Sequence, residues 1–112
     1  MRHDLAILAF ACAVATGTQA QVAARDLFVR ADKGQCIACH QLPEGAGAAT
    51  RADIGPRLDG GRMRALGKAG LRQSIADPTV ANPDTVMPPF GRHRILDAGE
   101  IERLVEFLLA LP

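Results

Sequence analysis

The chain of 112 residues has no tryptophan and no tyrosine, three cysteines, and thirteen basic residues against twelve acidic ones. Each scarcity excludes something. Without Trp or Tyr, a platform for stacking nucleic-acid bases is missing. A formal net charge of +1 gives no field to draw in nucleic acid or an anionic membrane surface. Internal repeats and low-complexity runs are absent. Long hydrophobic runs are absent too. The longest, Leu5 to Ala15, falls well short of the ~20 residues that a bilayer-spanning helix needs.

That run follows Arg2 and His3 and precedes Thr18-Gln19-Ala20, small residues suited to signal peptidase. Residues 1–20 therefore read as a secretory signal peptide, and residues 21–112 as one mature domain exported to the periplasm. The alternative is an N-terminal membrane anchor. Cys12 falls inside the signal, and bulky Phe10 argues against lipid attachment there. A domain of this size is close to the limit at which a protein core alone is stable.

The two cysteines left, Cys36 and Cys39, belong to Cys36-Ile37-Ala38-Cys39-His40. C-x-x-C-H is the attachment signature of c-type haem. Two thiols three residues apart on a helical turn can add to the two vinyl groups of one haem. The adjoining His40 can then reach the iron. A bare C-x-x-C would also suit a redox dithiol or half a zinc site. The following His, the export signal and the lack of a second C-x-x-C favour covalent haem, an apolar plate around which a short chain can pack. Both mature thiols are then consumed, leaving none for a disulfide.

The spacing predicts a helix over Val22–Lys33, broken by Gly34. Pro43–Gly61, rich in Gly and Pro, reads as a loop along a haem edge. Leu71–Ala76 lies in a second helix that ends near Asp77, because Pro78 disfavours helix in the residue before it. Pro83, Pro88 and Pro89 predict an extended stretch. A final helix is capped by Asp97, with Glu100 three residues on as in a capping box. Ile101, Leu104, Val105 and Leu108 form its apolar stripe, and Phe107 lies beside it within reach of the helix that carries Phe28. Glu102, Arg103 and Glu106 face water.

The sixth ligand of a haem iron has three downstream candidates: Met63, Met87 and His93. Met87 is best placed, because Pro88 and Pro89 stiffen the backbone after it. His93 lies between two arginines on a polar stretch, and Met63 suits packing on the haem edge. Ligation by His40 and Met87 would fill both axial positions and raise the reduction potential relative to two histidines. That describes a low-spin electron-transfer haem. Proximal histidines commonly donate their second ring N–H to a backbone carbonyl. The carbonyl of Pro56, in Gly55-Pro56-Arg57-Leu58, is a candidate acceptor, and an ordinary turn is the alternative. Arg51, Arg57, Arg62 and Arg64 are candidate partners for haem propionates or solvated surface residues.

The pentapeptide, the Ile54–Leu58 segment, a Met in a Pro-rich loop and an apolar last helix together resemble a class I cytochrome c. That resemblance implies a small all-α fold around one haem c. It also implies thioethers at Cys36 and Cys39, His40 as proximal ligand, Pro56 as its carbonyl partner and Met87 as distal ligand. Leu71–Pro78 and Asn82–Gly91, with Cys39–Pro43, more narrowly resemble the SoxX family of monohaem cytochromes, from about Lys33 to Leu111. Two positions depart from that family: Met63 stands where an aromatic is usual, and Asp53 where an uncharged residue is. The resemblance implies a SoxA-like cytochrome partner that couples thiosulfate to a cysteine of the SoxY carrier. This chain would accept the released electrons and pass them to a soluble cytochrome c. It would be the electron-transfer subunit of an enzyme complex. The alternatives are a free-standing monohaem shuttle, a subunit of another sulfur oxidoreductase such as a sulfite dehydrogenase, and a thiol–disulfide oxidoreductase.

Overall fold

Apolar residues at helical spacing shape the fold seen in a computed structural model, which describes residues 16–47 and 50–112. The apolar run of the expected signal peptide lies outside the described residues. Three α-helices, α1 (Thr16–Val29), α2 (Gly60–Ala76) and α3 (Ala98–Leu109), are joined by segments with short 3-10 turns at Cys36–Ala38 and Pro78–Val80. No strand occurs among the described residues, so the fold is all-α, as the sequence implies.

Helix α1 buries Ala24, Leu27 and Phe28 on one face. It starts and ends earlier than the spacing predicts, and it spans the expected cleavage point after Ala20. It stops at Val29 because the backbone folds back on itself there. The Gly34 N–H donates to the Leu27 carbonyl (3.3 Å) and the Gln35 N–H to the Arg30 carbonyl (3.0 Å). Gln35 itself takes a left-handed conformation, φ 43°. This turn brings the pentapeptide back against α1.

Helix α2 contains the expected Leu71–Ala76 and begins at Gly60, inside the stretch that reads as loop. Asp59 caps it, its side chain accepting from the Arg62 N–H at 2.9 Å. The two glycines that suggested loop instead form its first turn. Gly67, at φ 74°, ψ 170°, then breaks α2 into two segments. The left-handed φ is one that a side chain resists. The first segment buries Met63, and the second buries Leu71 and Ile75. The helix ends before Asp77, as Pro78 dictates.

The Asp77–Arg92 stretch is turn-rich rather than extended. Side-chain acceptors outweigh the prolines. Asp77 accepts from the Thr79 N–H (3.1 Å), Asn82 from Asp84 (3.2 Å), and Thr85 Oγ1 from Met87 (3.1 Å). The stretch is stitched back to the end of α2 by the Phe90 N–H on the Ile75 carbonyl (3.2 Å) and the Gly91 N–H on the Ala76 carbonyl (3.0 Å).

Helix α3 forms as predicted, with the complete capping box. The Asp97 side chain accepts from the Glu100 N–H at 2.7 Å, and the Glu100 carboxylate from the Asp97 N–H at 2.9 Å. Ile101, Leu104, Val105 and Leu108 are buried, and α3 packs against both α1 and α2. Phe107 meets Phe28 at 6.0 Å between ring centroids, tilted by 53°. Outside the core, Lys68 pairs with Glu106 and Arg72 with Glu102. Such exposed pairs contribute only ~0.2–1 kcal/mol each.

Candidate functional site

A cavity of about 670 Å³ opens between the pentapeptide, α2 and the Met87 loop. Cys36, Cys39, His40, Pro56, Met63 and Met87 all line it. Aliphatic and aromatic side chains from all three helices supply much of the remaining wall, Phe28, Leu71 and Leu104 among them. Its volume falls within the usual ~300–1,000 Å³ of cofactor pockets. Two thiols, an imidazole and two thioethers on one mostly apolar hollow match the donors and the shape that a covalent haem requires.

The pentapeptide is a 3-10 turn in which the Cys39 and His40 N–H groups both donate to the Cys36 carbonyl, at 3.1 and 2.9 Å. Its neighbour is the Gly55–Leu58 segment. The Gly55 N–H donates to the Cys39 carbonyl (2.8 Å) and the Leu58 N–H to the Gln41 carbonyl (2.9 Å). Between these two bonds, His40 Nδ1 lies 2.7 Å from the Pro56 carbonyl oxygen. A carbonyl only accepts, so Nδ1 carries the proton. Nε2 is then left with its lone pair, the form in which imidazole binds a metal. The ring also fills the space beside Gly55. A Cβ built there would lie 2.7 Å from Nδ1 and 2.9 Å from Nε2. Glycine is therefore required by close approach, a contact that local spacing does not disclose.

Burial pushes the Cys36 thiol up to about 12. A redox dithiol works through a lowered thiol pKa, so the site does not resemble a thiol–disulfide oxidoreductase. Among the described residues no group of three or more His, Cys, Asp or Glu gathers as a metal cluster, so no second half of a zinc site is present there.

Met87 is half-buried on the cavity wall. Met63 is 4% exposed and belongs to the core while lining the same cavity. A flexible thioether fills irregular space well, which suits Met63 to this wall. His93 is exposed and does not line the cavity. Among the four arginines singled out, only Arg62 lines it. Asp53 is exposed.

A partly buried ion pair adjoins the cavity, which Lys33 also lines. Lys33 Nζ, from the turn after α1, lies 2.7 Å from Glu100 Oε1, whose side chain is 10% exposed. The hydrogen bond from Lys33, aided by that from the Asp97 backbone, holds the Glu100 carboxyl below the usual glutamate value. Sequence reasoning missed this pair, because Glu100 was already accounted for by its capping role.

The family model described as "Cytochrome C oxidase, cbb3-type, subunit III" matches residues 21–108. No curated protein matches the chain. Among solved structures, a chain of "Crystal structure of SoxXA from P. pantotrophus" superposes with a TM-score of 0.69 at 25% identity. The superposition covers 80% of this chain and 80% of that one. No helix among the described residues is long and apolar enough to cross a membrane.

Proposed function

This chain belongs to the cytochrome c family described as cytochrome C oxidase, cbb3-type, subunit III, and is a SoxX-like haem electron-transfer subunit; from that premise we propose that it is the electron-accepting subunit of a thiosulfate-oxidising complex. It works in the periplasm beside a SoxA-like cytochrome, after loss of residues 1–20, with 21–112 as the mature domain. Cys36 and Cys39 hold one haem c by thioether bonds, His40 is its proximal ligand and Met87 its distal one. Bound there, the haem supplies a one-electron iron couple. The chain's own residues set the conditions for that couple. Pro56 fixes the His40 ring and its tautomer. Thr85, Pro88 and Pro89 hold the Met87 backbone in one conformation. The apolar walls exclude water. With His40 and Met87 both given to the haem, no position would remain for a sulfur substrate, and the sulfur chemistry would belong to the partner. That partner joins thiosulfate to a cysteine of a SoxY carrier, and a soluble cytochrome c takes the electrons onward.

One observation carries this reading: a single cavity gathers the whole C-x-x-C-H signature, the Pro56-bound imidazole and Met87. The test is to co-express the chain with the larger C-x-x-C-H cytochrome encoded nearest to it. Reduction of this chain's haem by thiosulfate is then followed in the presence of the carrier. A stable heterodimer is expected, with reduction only when the partner is present. A monomer whose haem thiosulfate never reduces would refute the assignment. The oxidase in the family's description favours a second reading, a free-standing shuttle to a terminal oxidase. A monomer that such an oxidase rapidly reoxidises would support it. The remaining alternative, the cytochrome subunit of another sulfur oxidoreductase such as a sulfite dehydrogenase, would form a heterodimer reduced by sulfite in place of thiosulfate.

A further inference from the structure

Among the described residues, Glu100 is the one charged residue that is buried, and each oxygen of its carboxylate has its own task. Oε2 accepts from the Asp97 N–H at 2.9 Å and closes the cap of α3. Oε1 lies 2.7 Å from Lys33 Nζ. A neutral glutamine would serve the cap as well. The cap therefore does not explain a carboxylate here, since a buried one is costly unless a cation faces it. Lys33 is that cation.

Lys33 is also part of the site. It stands three residues before Cys36, on the turn where its own N–H donates to the Arg30 carbonyl (3.2 Å) and the Gly34 N–H to the Leu27 carbonyl (3.3 Å). It lines the cavity, whose wall holds no Asp or Glu and one other cation, Arg62. The Lys33 side chain is the less exposed of the two, 29% against 57%, so water screens its charge less. A lysine stem covers apolar surface while its ammonium seeks a polar partner. That partner, Glu100, lies outside the cavity lining. We infer that Glu100 is a positioning residue for the electron-transfer site: by pairing with Lys33 it cancels a cation on the cavity wall, and so holds the haem midpoint potential below the value that a free lysine would set. A nearby cation disfavours the ferric form, which carries one positive charge more than the ferrous.

This inference rests on the haem reading above. The purified, haem-loaded protein is compared near neutral pH with Glu100→Gln, Lys33→Met, the double variant and Lys33→Arg. Mass spectrometry first establishes that haem is covalently bound; a chain lacking it overturns both the haem reading and the role of Glu100. Given bound haem, Glu100→Gln should raise the midpoint, because the cap survives and the lysine charge is unmasked. Lys33→Met should lower it, because the carboxylate is left alone. Each shift should reach up to a tenfold change in the ferric-to-ferrous ratio, which is about 59 mV for one electron. The double variant should return close to the wild-type value, and Lys33→Arg, which keeps the pair, should stay there. A purely structural brace behaves differently: loosening it admits water and moves both single variants in the same direction. Shifts of the same sign, or no shift in either single variant, would overturn the role of Glu100 and leave the haem reading intact. The far-red band of the oxidised protein should persist in all four variants; its loss in either single variant would assign the pair to structure alone and also overturn the inference.

Discussion

Replacing Gly55 by alanine is the sharpest probe of the His40 site. A methyl group there would stand 2.7 Å from Nδ1 and 2.9 Å from Nε2, closer than carbon and nitrogen tolerate. Backbone relief is limited, because the Gly55 N–H is bound to the Cys39 carbonyl at 2.8 Å. The imidazole must therefore swing, and the 2.7 Å contact of Nδ1 with the Pro56 carbonyl opens. Overpacking costs about 1–3 kcal/mol, and the lost hydrogen bond about 1 kcal/mol. Together these reach ~2–4 kcal/mol, a large share of the ~5–15 kcal/mol that stabilises an ordinary domain. At ~4–8 °C per kcal/mol for a domain of this size, the melting temperature should fall by roughly 10–30 °C. A His40 that no longer donates to a carbonyl is also a less basic ligand, so the haem midpoint should rise. The assay is thermal unfolding of the haem-loaded protein followed by circular dichroism, with a redox titration beside it. Gly99→Ala is the control. It lies in α3, and a Cβ there meets Asp97 Oδ1 at 3.4 Å and Arg103 Nη1 at 3.5 Å, ordinary contacts. It should stabilise by about 0.5–1 kcal/mol, as alanine does in a helix. If Gly55→Ala keeps the wild-type melting temperature and midpoint, the steric argument for glycine at this position is wrong.

Two further outcomes follow from other parts of the site. Met87→Ala should abolish the far-red sulfur-to-iron absorption band of the oxidised protein, and a band that persists would transfer the distal role to Met63, the other thioether on the cavity. Glu100 is held below its ordinary value of 4.5, first by the Lys33 hydrogen bond. A depressed folded value means that its contribution is complete above about pH 4.5 and is lost as pH falls through the lower folded value. Lys33→Met should therefore cost about 1–3 kcal/mol near neutral pH and flatten the acid limb of a stability-against-pH curve measured by urea unfolding. An unchanged acid limb would show that the pair is not what lowers Glu100.

What the sequence disclosed and what it hid divide along physical lines. The end of α2 and the whole of α3 were legible, because Pro78 and the Asp97–Glu100 box are local signals and the Ile101–Leu108 stripe has a helical period. The start of α2 was hidden. Glycines at 60 and 61 suggest loop on propensity, yet the Asp59 cap and the burial of Met63 pull them into a helix. Prolines around Met87 suggested extension, but three side-chain acceptors fold that stretch into turns. At the site, the pentapeptide is local in sequence and was read directly. Pro56 was a candidate only by the habit of histidine ligands, sixteen residues from His40. The steric demand on Gly55 and the Lys33–Glu100 pair arise from tertiary packing alone and have no local signature.

The meeting of Phe28 with Phe107 bears on the order of events in the life of the chain. The two rings come from helices near opposite ends of the described residues, so this part of the core cannot close until α3 has been made and delivered. Contacts between such distant segments form late, because the intervening chain must first be gathered. The cysteine pair is made long before α3. In the finished fold both cysteines are only partly buried and line the cavity. The C-terminal helix thus completes the wall opposite the thiols: it brings Leu104 and Leu108 to the cavity that Cys36 and Cys39 line, so the apolar hollow is finished only when the chain is.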